Sequence, residues 1–389
     1  MSGSSGAILA VNSGSSTLKF GLFQLEEGEE KPLFEGSAEG IGKDAGRLEI
    51  KDGSGKTVHH EEQKYTSQDD ALQHVCSTLP SLQSPEPAAV GHRLVHGGPR
   101  LREHALLTPQ VFRALQEAVH FAPLHIPTSL ELIRSAEKLY PKAPQFACFD
   151  TTFHTTLPEI AWHYPLPEKL VAEGVRRYGF HGLSYASIVH QLGSQMKPLA
   201  VVAHLGNGSS LCAMRDGKSI DTSMGMTPTG GIPMGTRTGD LDPGVLLYLM
   251  RVHNLDADQL EAMLNHESGL LALGGSADMR DLEQRSAAGD TQAALAIEIF
   301  TLSIAKTIVA YAVELGGLDQ LIFAGGIGEH SARARSAILK KLSHFGLVLA
   351  PGKNDSASDV ISSSNSRVEV RIVPSKEESQ IAREVRSLL

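Results

Sequence analysis

Two stretches of the chain are written in one grammar. AILAVNSGSSTLKFGLF reads as an apolar strand, a turn of Asn, Gly and Ser, and a second strand. LAVVAHLGNGSSLCAMRDGKSIDTS, about half a chain later, reads the same way and adds an Asp-Gly turn and a third strand. Few folds open twice as a meander around a polar glycine turn, so the repeat implies two related domains. A length of 389 residues is long for one core and accommodates two.

Helical patterns fill the rest. TPQVFRALQEAVHF offers Thr as N-cap with Pro at the first helical position, and SLELIRSAEKLY stops before Pro141. QFACFDT is a short apolar strand that ends at Asp150. TQAALAIEIFTLSIAKTIVAYAVEL is apolar on nearly all sides, the pattern of a helix buried between layers. QLIFAGGIGEHSARARSAILKKL reads as strand, glycine turn and helix, and VEVRIVP with SKEESQIAREVRSLL closes the chain as strand and helix. MSGSSG is low in complexity and is left out of the fold.

Charge and cysteine content narrow the function. A net charge of -9 gives no general attraction to a phosphate backbone, and no Lys/Arg-rich run makes a local exception, so nucleic acid is not an expected partner. Cys76, Cys148 and Cys212 are far apart and without CxxC spacing, which points to neither a disulfide framework nor zinc and fits a reducing cytoplasm. The start has no basic region, and no continuous apolar stretch is long enough to span a bilayer; a membrane anchor is not expected. His92 and His96 lie in a strand-like segment, where an i, i+4 spacing does not bring two ligands onto one face.

Phosphate sites are the next question. DGSGKT at 52–57 ends like a nucleotide-binding P-loop, but position 50 is Ile where the loop needs its first glycine, and the flanks alternate like a hairpin. Three other glycine turns follow apolar strands: NSGSS at 12–16, LGNGSS at 205–210 and AGGIGEH at 324–330. Small residues let backbone amides approach anionic oxygens, and the third turn also opens a helix. MGMTPTGGIPMGTRTGDLDPG, 224–244, contributes little to a core and sets Arg237 among Gly and Thr; irregular loops of this length tend to be functional.

These residues carry a resemblance. AVNSGSSTLKFGLF, AVGHRLVHGG, APLHIP, FDTTFHTTLP, RRYGFHGLSY, AHLGNGSS, PMGTRTGDLDPG, DMRDL, AGGIGEH and SKEESQIARE, in this order, make the sequence similar to the acetate kinases, of the acetate and sugar kinase, heat-shock chaperone and actin superfamily. The resemblance implies an α/β fold of two duplicated ribonuclease-H-like (actin-like ATPase) domains, each a mixed sheet flanked by helices, with the active-site cleft between them. It divides the chain into 7–152 plus the closing helix 375–389, and 153–374. It implies reversible transfer, dependent on Mg²⁺ with Mn²⁺ as the alternative metal, of the ATP γ-phosphoryl group to acetate, giving acetyl phosphate and ADP, in a cytoplasmic homodimer.

Carried over by position, the resemblance puts Arg93 and Arg237 on the transferring phosphoryl group with His181 beside them, His181 and Arg237 stabilising the transition state. Asn12, Ser15, Thr17 and Lys19 lie in or next to the first glycine/serine turn, Lys19 toward the nucleotide. Asp150 and Glu377 match acidic positions associated with catalysis and Mg²⁺, the metal falling to Asn12 and Glu377. His204, Asn207, Gly208, Asp278, Arg280, Gly326, Ile327 and Gly328 line the nucleotide site, and Val95, Leu124, Phe180 and Pro228 the pocket for the acid's methyl group. Gly230-Gly231, HGLSY and GEH depart from the commoner family pattern without removing a charged group.

The chemistry suits these residue types. Phosphoryl transfer to a carboxylate brings an anion against a polyanion, so neutralisation and in-line placement are the main demands. Arginine stays charged and its planar fork takes two phosphoryl oxygens. A carboxylate acceptor is already ionised near neutral pH and needs no general base. Two other activities use the same framework: a propionate or broader short-chain acyl kinase, and a non-catalytic nucleotide switch like actin or the chaperones. The charged set Arg93, Arg237, Asp150 and Glu377 favours catalysis over the switch.

Overall fold

The two apolar runs become the central strands of two sheets. The computed structural model describes residues 6–14, 16–26, 29–123 and 125–389. In β1 (Ala7–Ser13) side chains alternate between two cores: Ala7, Leu9 and Val11 join one cluster, Ile8 and Ala10 another. β1 pairs antiparallel with β2 (Thr17–Glu26), and β3 (Glu29–Glu39), β4 (Arg47–Asp52) and β5 (Thr57–Glu62) continue the meander. On its other side β6 (Pro87–Leu94) and β8 (Gln145–Phe149) add in parallel, and the short β7 (Ala105–Leu106) closes the edge antiparallel.

The second sheet is built from β9 (Leu199–Leu205), β10 (Ser209–Arg215), β11 (Lys218–Thr222), β12 (Gln320–Ala324) and β13 (Glu369–Ile372). Its order is β11-β10-β9-β12-β13, with the first three antiparallel and the last two added in parallel. Without the β4–β5 hairpin and β7, the first sheet reads β3-β2-β1-β6-β8 and matches it strand for strand. Parallel strands need crossovers, which the helices supply. The expected duplication of a mixed, helix-flanked sheet, the ribonuclease-H-like arrangement, is what the chain adopts.

Contacts divide the molecule into two compact units, Met1–Thr152 with Gly182–Ser187 and Lys376–Leu389, and Phe153–His181 with Ile188–Ser375. The chain thus crosses back briefly where the sequence division ran on unbroken from 153. Leu183 is the reason: it packs with Ile8, Ala10 and Ile381 in a core of the first unit. The last crossing falls between Ser375 and Lys376, one residue later than the division drawn before 375.

The helix Glu377–Leu388 belongs to the first unit and lies hard against β6. A Cβ on Gly91 would sit 2.6 Å from both Ile381 and Val385, so only glycine admits the helix at this distance. Buried Glu30 of β3 ties down the same helix through ion pairs to Arg383 and Arg386. In the second unit the helix Thr291–Leu315 buries Ala296, Phe300, Ile304 and Ile308 in the main cluster. It is long and apolar enough to cross a bilayer by length and composition, and serves here as a core helix. Burial on all sides, as expected, is not what it shows: Leu295, Leu302 and Val313 are exposed along its outer face.

Element ends shift by a few residues. The first helix pattern ends at Glu117 and continues as a short 3-10 turn, Val119–Phe121, while the second begins at Ile126, with Pro127 in its first turn. DGSGKT is the β4–β5 turn. Asp52 Oδ1 accepts from the Ser54 and Lys56 amides at 2.9 and 3.1 Å, so amides that a phosphate loop would direct outward are turned onto a carboxylate.

Candidate active site

In the first unit the charged residues gather at the ends of β1, β6 and β8. Arg93 is the penultimate residue of β6, opposite Cys148 of β8, and Asp150 follows that strand with its amide bonded to Leu94 O at 2.9 Å. Adjacent parallel strands therefore deliver a guanidinium and a carboxylate side by side. Arg93 Nη2 lies 2.6 Å from Asp150 Oδ2, and Nε 3.0 Å from the same oxygen, a two-pronged grip on a side chain that is 1% exposed.

Arg93 Nη1 also donates to Asn12 Oδ1 at 3.2 Å, and Asn12 Nδ2 donates to Glu377 Oε2 at 2.9 Å and Glu378 Oε1 at 2.7 Å. Burial works against the Arg93 charge; Asp150, Glu377 and Glu378 outweigh it and hold the guanidinium ionised. Burial, and then the Glu377 charge, push the Glu378 carboxyl up, with Lys19 opposing them from the position paired with Asn12 across β1 and β2. Thr17 O accepts from Gly14 N at 2.7 Å and shapes the first glycine turn; Ser15 lies outside the described residues.

Among the described residues no three His, Cys, Asp or Glu side chains form a ready-made metal cage. Mg²⁺ is commonly held by one or two carboxylates and otherwise by water and phosphate oxygens. Glu377 and Glu378 crowd two carboxylates onto one Asn12 amide, a hard-oxygen set whose mutual repulsion a divalent cation would relieve.

In the second unit the sites converge on Gly208. A Cβ there would sit 3.2 Å from His181 Nε2 and 3.4 Å from Arg237 Nη1, so the glycine turn, the histidine and the arginine share one small space. His181 adopts φ +60, costly for a residue with a side chain, of order 1–3 kcal/mol. It is fixed there by a 2.9 Å hydrogen bond to Ser210 Oγ and by stacking on His204, centroids 4.4 Å apart. Arg237 Nη1 donates to Pro228 O at 3.1 Å, which aims the guanidinium from within its own loop.

The other glycine turn stands beside this one. A Cβ on Gly206 would be 4.0 Å from Gly326 N, and one on Gly235 would strike Asn207 Oδ1 at 2.2 Å. AGGIGEH is a short helix, Gly325–His330, entered through Gly325 at φ +74, with Ile327 packed on the core and nothing within 4 Å of a Cβ on Gly326. Buried Arg335 fixes its end by donating to Gly328 O at 2.9 Å and Glu329 O at 2.8 Å, and Glu329 Oε1 accepts from Gly325 N at 2.9 Å. Asp278 caps the helix Met279–Ala287 and pairs with exposed Arg280 at 2.7 Å, a local arrangement.

Of the residues expected to line the acid's methyl pocket, Phe180 and Pro228 are buried in the second unit and Val95 is half-buried just past β6 in the first; Leu124 lies outside the described residues. Phe180 is placed by His154, whose Nε2 donates to Phe180 O at 3.0 Å while Nδ1 meets Ser219 Oγ at 2.8 Å. Burial holds His154 down to about 4, so it is a neutral strut. His92 and His96 do not form a pair: His92 bonds Gln145 at 2.8 Å, and His96 Nδ1 accepts from Gly98 N. Glu378, Ser210, Glu329 and Arg335 were not singled out from sequence. Glu378 had a signal in the doubled acid of SKEES, and Ser210 and Glu329 had one in lying within the glycine turns LGNGSS and AGGIGEH; Arg335 had none.

Comparison with known proteins agrees with this geometry. A family model described as the acetokinase family matches residues 7–383. An acetate kinase from Clostridium botulinum (strain Loch Maree / Type A3) is 40% identical over 98% of this chain and 99% of its own length. Among solved structures, a propionate kinase from Francisella tularensis subsp. tularensis SCHU S4 superposes with a TM-score of 0.90 at 36% identity, covering 97% of this chain and 98% of that one. Porphyromonas gingivalis acetate kinase gives 0.85 at 36% identity, covering 98% and 99%. With the duplicated sheet, the paired Arg93 and Asp150 and the His181–Gly208–Arg237 cluster in one chain that these relatives match end to end, the protein belongs to the acetokinase family.

Proposed function

We propose that the protein is an acetate kinase, transferring the γ-phosphoryl group of ATP reversibly and directly to acetate. The observation that carries this reading is a pair of preset guanidiniums. Arg93 is locked by Asp150 and Asn12, and Arg237 by Pro228 O beside His181. Each is oriented before substrate arrives, which lowers the reorganisation needed as charge spreads over the phosphoryl oxygens. The acceptor carboxylate needs no deprotonation, and the site accordingly offers cations in place of a general base. Glu377, with Asn12 and Glu378, would hold Mg²⁺, which when bound adds neutralising charge at the phosphates. The turns at 205–208 and 325–328 are the nucleotide's expected seat. A coupled assay for acetyl phosphate from acetate and ATP tests the reading directly; absence of product with Mg²⁺ present would reject it.

The propionate kinase among the structural relatives favours a second reading of the same site, a broader short-chain specificity. An extra methylene changes selectivity by only about 1–3 kcal/mol. Val95→Ala is expected to raise kcat/KM for propionate relative to acetate by about tenfold, by removing methyl groups where the longer acid would crowd. An unmoved ratio would take Val95 out of the pocket.

A homodimer is also proposed, in a reducing compartment where the three buried cysteines stay free. The support is the helix Pro243–Val252: its sequence PGVLLYLMRV is apolar around most of its circumference, yet none of its residues is buried. Leu247, Tyr248, Met250 and Val252 are all exposed, a patch that a second copy would cover. Light scattering should give twice 41.6 kDa, and Leu247→Asp with Tyr248→Asp should give the monomer. A wild-type monomer at micromolar concentration would reject the dimer.

A further inference from the structure

We propose that Arg177 is a positioning residue for the transfer step: it clamps the base of the loop carrying Pro228 and Arg237 to the segment that ends in Phe180 and His181. The proposal rests on the kinase reading above for its kinetic consequence, and on the second unit's geometry for the clamp itself.

Arg177 lies four residues before His181 in RRYGFHG. Its backbone N donates to Trp162 O at 2.9 Å and its Nε to Ala161 O at 3.1 Å, so the stem is fixed from behind. Nη1 then faces three successive carbonyls, Thr222 O at 2.7 Å, Ser223 O at 3.3 Å and Met224 O at 3.2 Å. Carbonyls that converge in this way repel one another and need a cation to hold them. Asp221, the carboxylate paired with it among the described residues, stands 3.7 Å from Nε, beyond hydrogen-bond range, so the backbone carbonyls set the orientation of the fork.

The neighbouring contacts extend the clamp. Tyr178 N and Gly179 N both donate to Gly225 O, at 3.0 and 3.2 Å, and Tyr164 Oη accepts from Met226 N at 2.9 Å. Both glycines are needed for this approach: a Cβ on Gly179 would lie 2.4 Å from Thr222 Cγ2, and one on Gly225 2.4 Å from Tyr164 Oη. Residues 222–226 are thus held at every position, and two residues later Pro228 O receives Arg237 Nη1. The same strap that ends in His181 therefore sets where Arg237 begins. The turn at 325–328 is braced separately, by Arg335 and Glu329.

The test uses full-length Arg177→Lys and Arg177→Ala. Hydrogen exchange read by mass spectrometry should show faster exchange in peptides covering 222–240 of Arg177→Ala, with 320–330 unchanged. Turnover should fall by about tenfold in Arg177→Lys and on the order of 10²-fold in Arg177→Ala, the scale of a misplacement of about 1 Å. ADP affinity by calorimetry should stay within about twofold, and millimolar guanidinium, but not urea, should restore part of the Arg177→Ala rate. Unchanged exchange across 222–240 would overturn the clamp, whatever the activity. Exchange rising equally throughout the second unit, or ADP binding lost in step with kcat, would make Arg177 a general stability residue and also overturn it. A wild-type protein that makes no acetyl phosphate while the exchange result holds would reject the kinase reading and leave the clamp standing.

Discussion

Arg237→Lys lowers kcat by about 10²-fold or more and changes KM for ATP by less than about threefold. The expectation follows from what each end of the side chain does. Nη1 is tied to Pro228 O at 3.1 Å and borders the small space at Gly208 that His181 also borders. A lysine ammonium could keep one of these contacts, but it has no fork with which to meet the backbone and two phosphoryl oxygens together. Charge on those oxygens is greatest in transit, so the loss falls on kcat. Arg237→Ala removes the charge too and should be nearly inactive, by about 10³–10⁵-fold, the range of an arginine that stabilises phosphoryl transfer. Initial rates at varied ATP, with circular dichroism to verify folding, decide the matter. Wild-type kcat in the lysine variant would mean that Arg237 does not touch the transferring group.

How much of this was legible beforehand depends on how local the signal is. The two meanders could be read because strand burial and turn chemistry are written within a few residues, as in AILAVNSGSS and LAVVAHLGNGSS. The hairpin at DGSGKT could be read for the same reason. The outer face of Thr291–Leu315 could not: Leu295 and Val313 are as apolar as the buried Phe300 and Ile304, and only tertiary placement separates them. Nor could the crossing at Gly182–Ser187, which depends on Leu183 finding Ile8 and Ile381 from distant parts of the chain.

In the site, charged residues in distinctive motifs were visible, whereas their supports were not. Arg335 reaches Gly328 O, and Arg177 reaches Thr222 O, across sequence distances that carry no periodic signature. Asn12 shows the difference well. Its place in a glycine/serine turn marked it, but only the fold reveals that its amide joins Arg93 to Glu377 and Glu378.

That junction separates two acids which the sequence had put under one heading. Asp150→Asn and Glu377→Gln each keep shape and discard charge, and both are expected to lower kcat, by about 10³-fold and about 10²-fold respectively. Their response to Mg²⁺ should differ. Asp150 accepts Nε and Nη2 of Arg93 at 3.0 and 2.6 Å and is almost wholly buried, so its charge is committed to the guanidinium. An asparagine there turns an amide donor toward a donor, leaves Arg93 under-compensated, and lets the fork swing. Added Mg²⁺ cannot repair that. Glu377 stands 4.0 Å from Arg93 Nε and shares the Asn12 amide with Glu378, and this set of two carboxylates on one donor makes it the better candidate for the cation. Glu377→Gln should therefore recover much of its rate as Mg²⁺ is raised about tenfold above the wild-type requirement, while Asp150→Asn stays low throughout. The measurement is kcat against free Mg²⁺ for both variants at saturating ATP and acetate. Rescue of Asp150→Asn would reassign that carboxylate to the metal, and a flat response in Glu377→Gln would remove Glu377 from it.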